Sequence, residues 1–173
     1  VAENLALGLF ASLALRLTCY PGLAAAARWA GERGWGFLSL WPMPGPLRVG
    51  LGCLLLDWTL YYWHWLNHRV PFLWRFHNVH HVDLDVDVST ASRFHLGELV
   101  LAAGYRLAQI AVLGIDLPTL LFYDGLVLAF TQFHHSNVRL PEGFERGLVR
   151  LIVTPRMHGI HHSIVQDEAN SNY

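Results

Sequence analysis

Eight histidines fall in three tight clusters: His64 and His68 in HWLNH, His77, His80 and His81 in HNVHH, and His158, His161 and His162 in HGIHH. The other three of the 11 are His95, His134 and His135. On a helix, positions i, i+3 and i+4 share a face, so each cluster is expected to aim its imidazoles at a common point. Imidazole is a ligand suited to zinc, copper, iron or nickel. Rings crowded in this way repel when protonated and need partners when neutral, and a bound metal removes both difficulties. A structural zinc takes about four ligands and a catalytic one about three, so eight to ten histidines exceed what one ion uses. Two adjacent metals, each with four or five imidazoles, fit the number, with a position between them open to dioxygen or water. A lone histidine on an apolar face is usually a hydrogen-bonded packing residue, which is the reading for His134.

The elements that must position these rings are apolar. Of 173 residues, 53% are hydrophobic and 14% charged, the net charge is -1, and the mean hydropathy is +0.31. This composition excludes a disordered chain, a disulfide scaffold and a nucleic-acid binder built on a basic surface, and favours a membrane protein. Cys19 and Cys53 lie in apolar surroundings and read as small packing residues. Four runs, Leu5 to Tyr20, Leu47 to Leu66, Leu99 to Leu117 and Thr119 to Phe133, are long enough to cross or line a bilayer. Arg16, Asp57, Arg106 and Asp124 interrupt them and are expected to face a bundle interior. A soluble all-helical core is the alternative. Between the first two runs, Ala24 to Arg28 reads as a short helix followed by an irregular Gly- and Pro-rich connection.

The turn Asp116, Leu117, Pro118 is short enough to impose an antiparallel helical hairpin, which brings segment 67–98 and the tail 136–173 to one face. That face carries Arg69, Arg75, Arg93, Arg139, Arg146, Arg150 and Arg156, against Arg28, Arg33 and Arg48 in the first connection, and so is expected to be cytoplasmic. Trp29, Trp35 and Trp41 would mark the outer boundary, and Trp63, Trp65 and Trp74 the inner one. Asp83, Asp85 and Asp87 alternate with Leu84, Val86 and Val88, which suggests a short extended segment beside the site. Leu140 to Gly143 reads as a turn, and Phe144 to Val153 as an amphipathic helix at the interface. The chain opens at Val1 without an initiating Met or a cleavable leader, so it is expected to be a piece of a longer one.

DWTLYYWHWLNH, VPFLWRFHNVHH, STASRFHLGE, QFHHSNVRLP and TPRMHGIHHS with SNY after it, taken in that order, resemble the fatty acid hydroxylase and sterol desaturase superfamily of integral-membrane di-iron enzymes. The resemblance covers about residues 57–173 of a single domain, with 1–46 as an N-terminal membrane helix and loop. It implies an all-α membrane protein of about four transmembrane helices under a cytoplasmic histidine-rich helical cap holding a dimetal site. Chains of this kind normally continue past an S-N-Y such as Ser171 to Tyr173, so further residues are expected there.

Carried over by position, the resemblance implies metal ligands at His64, His68, His77, His80, His81, His158, His161 and His162. It adds His95, although Leu96 stands where a proline commonly follows, and His135 in the H-S-N step. Ligating rings usually donate their second N–H to a carboxylate or carbonyl. Asp57, seven residues before His64, and Asp124, eleven before His135, are phased for this, with Asn137 and Asn170 as looser candidates. For Asp57 and Asp124 an ion pair with Arg106 is the equal alternative.

The implied activity is oxygen-dependent hydroxylation or desaturation of an unactivated C–H bond in a membrane lipid, such as a fatty acyl chain or sterol. It would use two Fe ions, with zinc as a substitute, and dioxygen as cosubstrate. The chain has no C-x-x-C-H, G-x-G-x-x-G or four-cysteine set, so a separate electron carrier is implied, a small haem protein or a ferredoxin with its reductase. The arginine-rich face suits an acidic partner. Two rivals are a zinc-dependent membrane hydrolase, though H-E-x-x-H is missing, and a non-enzymatic membrane protein that binds haem or metal ions.

Overall fold

A computed structural model describes residues 1–83 and 85–173, and all of its regular structure is helical. Helix α1 (Ala2–Thr18) meets α2 (Tyr20–Arg33) at Cys19 with a bend of 48°. Pro21 accounts for the break, because its ring clashes with the carbonyl four residues back and it has no N–H to donate. Helix α2 runs well beyond the short helix expected at Ala24 to Arg28. Its alanine-rich turns propagate readily, and it stops only at Gly34, which adopts a left-handed φ of 57°.

Helix α3 (Gly45–Arg69) ends at Val70, which is extended because Pro71 follows, and α4 (Pro71–His81) starts there and folds back against α3. Helix α5 (Leu96–Leu113) and α6 (Leu117–His134) are joined by a turn in which Asp116 accepts a bond from the Thr119 amide at 2.9 Å and caps α6. Each packs on both α2 and α3. The core lies toward their junction, with Leu23, Ala27, Ala30, Leu38, Leu56, Ile110, Ile115, Leu120 and Tyr123 buried together. Arg48 closes this end by donating to the carbonyls of Leu38 and Gly114 at 3.1 and 3.2 Å.

The opposite end carries the histidines. Asn4 pins the start of α1 there, donating to Asp83 at 2.7 Å and Ser89 at 3.0 Å and accepting from Arg93 at 2.7 Å. The described residues of the segment expected to be extended are instead in a loop organised by its acids: Asp87 accepts from the Ser89 amide at 2.7 Å, and Asp83 accepts from the Thr90 hydroxyl at 2.8 Å. The Asx turn at Asp87 satisfies the Ser89 amide locally, without a partner strand. Leu84 of that expected segment lies outside the described residues. In the tail, α7 (Glu142–Leu148) is shorter than the helix expected to reach Val153, and α8 (Pro155–His161) and α9 (Gln166–Ala169) follow.

Among the described residues, α5 is the one helix long and apolar enough to cross a membrane alone, and α1 with α2 passes the same test as a bent pair. Of the four expected spans, α3 and α6 fall short of it because acidic, imidazole and aromatic side chains dilute their hydropathy. Large apolar side chains nevertheless face outward along both, including Leu47, Leu51, Leu54 and Trp58 on α3 and Leu121, Phe122 and Leu128 on α6.

Candidate metal centre

The histidines converge in two sets. Candidate donor atoms of His64, His68, His77, His81 and His161 lie within 4.8 Å of one another, and so do those of His80, His135, His158 and His162. The sets adjoin, with the His81 ring stacked on His162 at a centroid distance of 4.4 Å. Each H-x-x-H-H cluster therefore serves two points instead of the single one expected. On a helix i and i+4 differ by about 40° in azimuth, whereas i+3 lies roughly 60° the other way. The i, i+4 pairs His64/His68, His77/His81 and His158/His162 accordingly stay together, and His80 and His161 cross to the other set.

Hydrogen-bond arithmetic shows that these rings are arranged for something other than each other. In the second set the Nε2 atoms of His80 and His135, His135 and His158, and His158 and His162 are 3.2, 3.0 and 3.2 Å apart. An imidazole nitrogen carries either one proton or one in-plane lone pair, so three such contacts in series cannot all be hydrogen bonds. In the first set, the Nε2 atoms of His68, His77 and His81 are buried without a partner, and those of His64 and His161 are 3.1 Å apart. At metal–nitrogen distances of about 2.1 Å, donors around one ion sit roughly 3.0 to 3.4 Å from each other. A metal ion in each set would receive the lone pairs that the protein leaves unpaired, so the residues present fit two ions.

Three rings have their tautomer set from behind. Nδ1 of His135 is 2.8 Å from the Thr131 carbonyl, and Nδ1 of His161 is 2.7 Å from the Ser171 carbonyl, so both must donate and keep their Nε2 lone pairs inward. Nδ1 of His77 is 2.8 Å from Glu98 Oε1. Glu98 and the two carbonyls were not singled out by sequence reasoning. The one available signal for Glu98 was an acid in the first turn of an apolar helix, which reads equally well as a dipole-favoured surface residue.

The four other candidates sit elsewhere. Asp124 pairs with Arg106 at 3.7 Å, the alternative weighed for it, and exposed Asp57 accepts from the Tyr123 hydroxyl at 3.5 Å. Asn137 donates to the Val86 carbonyl, and Asn170 accepts from the Tyr173 hydroxyl. Among the described residues none of these four bonds a clustered ring. His95 belongs to neither set: it caps α5, accepting from the Gly97 amide at 2.9 Å, with its ring against Phe76. His134 also lies outside both sets, its ring 4.1 Å from that of His158.

Short elements hold the last three clustered histidines in place. Thr154 caps α8, and its hydroxyl donates to buried Glu145 of α7 at 2.7 Å, while Glu145 also pairs with Arg156 at 3.2 Å. Glu145→Ala is expected to cost about 2 kcal/mol through the lost cap support and an unpaired hydroxyl. Thermal melts should show this loss, and metal analysis should show depletion of both sets, because α8 serves both.

Burial pushes the pKa of His80, His81 and His158 well below the usual imidazole range, and neighbouring rings add to the effect. Burial likewise lowers His161 to about 4 and His162 to about 2. The folded, metal-free protein thus holds neutral rings whose unfolded counterparts take up protons near 6.5. Because the unfolded chain binds more protons, stability is full above that value and falls as the pH drops through it toward the folded pKa values. The metal-free melting temperature is expected to fall steadily from pH 7 to pH 5, and a flat profile would contradict this.

A model of the fatty acid hydroxylase family matches residues 49–173. The chain is 33% identical to an ornithine lipid hydroxylase of Rhizobium tropici over 133 residues, 77% of this chain and 39% of that protein. It is 28% identical to cholesterol 25-hydroxylase of Homo sapiens over 127 residues, 71% of this chain and 45% of that one. A cholesterol 25-hydroxylase-like protein of Danio rerio is 28% identical over 137 residues, covering 75% and 53%. The chain thus spans about two fifths to half the length of the curated relatives it matches. No solved structure matches it.

Proposed function

Because this chain belongs to the fatty acid hydroxylase family, we propose that it is the metal-holding part of an oxygen-dependent membrane-lipid hydroxylase with a pair of iron ions. The observation that carries this reading is the division of nine histidines into adjoining sets of five and four with unpaired ring nitrogens inside. His64, His68, His77, His81 and His161 would hold one ion, and His80, His135, His158 and His162 the other. Bound there, iron supplies the redox chemistry for RH + O2 + 2e⁻ + 2H⁺ → ROH + H2O. Hydroxylation is preferred to desaturation because the relatives are named for it.

The protein's own residues hold the rings, set their tautomers and keep water away. Phe94 stacks on His80 at 4.9 Å, Trp74 lies against His68 and His81, and Tyr173 lies against His64, His68 and His161. The outward apolar faces of α1, α3 and α6 support four membrane crossings, and the excess of arginines in segment 67–98 and the tail 136–173 supports a cytoplasmic histidine end. A lipid chain could then reach the metals without leaving the bilayer. The two electrons come from a separate carrier, and the exposed Arg69, Arg75, Arg139, Arg146 and Arg150 suit an acidic one.

The test is metal analysis and Mössbauer spectroscopy on protein purified from iron-57-grown cells, followed by mass spectrometry of lipids incubated with it, dioxygen and a reductant. Two irons per chain, a coupled diferric signal and a lipid product with one added oxygen atom are expected. A single zinc, or a haem spectrum, with no iron pair after reconstitution would overturn the proposal.

A further inference from the structure

Among the described residues one carboxylate touches a clustered ring, and it is buried. Glu98 and His77 are 5% and 3% exposed, with Oε1 and Nδ1 2.8 Å apart. The Nε2 atom on the far side of His77 is buried without a partner and belongs to the first set. Glu98 Oε2 is also buried without a partner. Burying a carboxylate is costly unless something repays it. Two features do so: the first turn of α5 places it at the positive end of the helix dipole, and the His77 N–H gives it a charge-assisted bond.

Local packing holds the carboxylate in register. A side-chain carbon at Gly97 would meet Phe76 Cε1 at 2.9 Å, so glycine there lets the start of α5 close onto α4, the helix that carries His77. The backbone carbonyls behind His135 and His161 set a tautomer, as Glu98 does, but carry no full charge. The two sets are therefore unequal: the first has an anion one ring away from its centre, and no described residue supplies one to the second.

We infer that Glu98 is a positioning residue for the first set: it holds His77 as the Nδ1–H tautomer with Nε2 turned inward, and its charge favours retention of the cation bound there. The inference rests on the proposed metal-holding role of the sets, but its first test does not. Nitrogen-15 NMR of the metal-free protein, with the His77 signal assigned by its loss in His77→Gln, is expected to show the Nδ1–H tautomer. An Nε2–H tautomer overturns the inference whether or not the protein binds metal, and a failure to bind two ions overturns the proposed function separately.

The second test is chelator-driven release from the metal-loaded protein. Removing a carboxylate behind a ligand ring typically costs about 10- to 100-fold in metal affinity. Glu98→Ala is expected to speed departure of one of the two ions by that order and leave the other unchanged. Glu98→Gln, which can still accept the His77 proton but has no charge, should fall between it and the parent while preserving the tautomer. Parent-like release from both variants would overturn the role in metal retention.

Discussion

His158→Ala is expected to leave one metal ion per chain instead of two and to lower lipid hydroxylation by more than about 100-fold, beyond the usual cost of losing a partner behind a ligand. The His158 Nε2 atom faces His135 at 3.0 Å and His162 at 3.2 Å, so it sits between two other donors of the four-membered set. Its loss leaves three rings, and His80→Ala should act alike because it depletes the same set. His161→Ala takes one ring from a set of five and should weaken that ion's retention without removing it. Metal analysis with activity measurements separates these cases. Full metal content and full activity in both His158→Ala and His80→Ala would show the assignment to be wrong.

Gly114→Ala is expected to destabilise the fold by roughly 2 to 5 kcal/mol, combining left-handed backbone strain with overpacking. Gly114 has φ +76°, and a carbon added there would lie 2.0 Å from the Trp35 carbonyl oxygen. The close approach of Gly36 to this residue joins the end of α2 to the end of α5, and the Trp35 indole donates to the Ala111 carbonyl at 2.9 Å beside it. Because the site lies at the other end of α5, partly unfolded protein should lose metal while the folded fraction keeps the normal ratio. A melting curve with metal content measured per folded chain checks this. A parent-like melting temperature would mean that the contact is loose in solution.

The sequence by itself determined the helical runs, the turn at Asp116 and the convergence of a histidine-rich centre able to hold metal. These follow from local rules: apolar runs of sufficient length form helices, Pro and Gly punctuate them, and imidazoles at i and i+4 share a face. Nine of the ten histidines implied as ligands are brought into the two sets. The family was visible for the same reason, since its motifs are contiguous stretches of sequence.

Only the tertiary structure decided how those histidines divide. The choice between a common point and two points depends on where α3, α4, α6 and α8 meet, and a difference of about 100° in azimuth between i+3 and i+4 has no meaning until a partner helix stands on each side. It also decided what lies behind the rings. Asp57 and Asp124 have helical phase with His64 and His135, but phase along one helix cannot tell a carboxylate which neighbour it will meet. Arg106 in the middle of α5 claims Asp124, while Glu98 in the first turn of the same helix reaches His77 on α4. The carbonyls of Thr131 and Ser171 leave no side-chain signal at all, because their role belongs to backbone geometry. The candidate donors are written in residue type and spacing, whereas their grouping and orientation come from contacts between elements far apart in the chain.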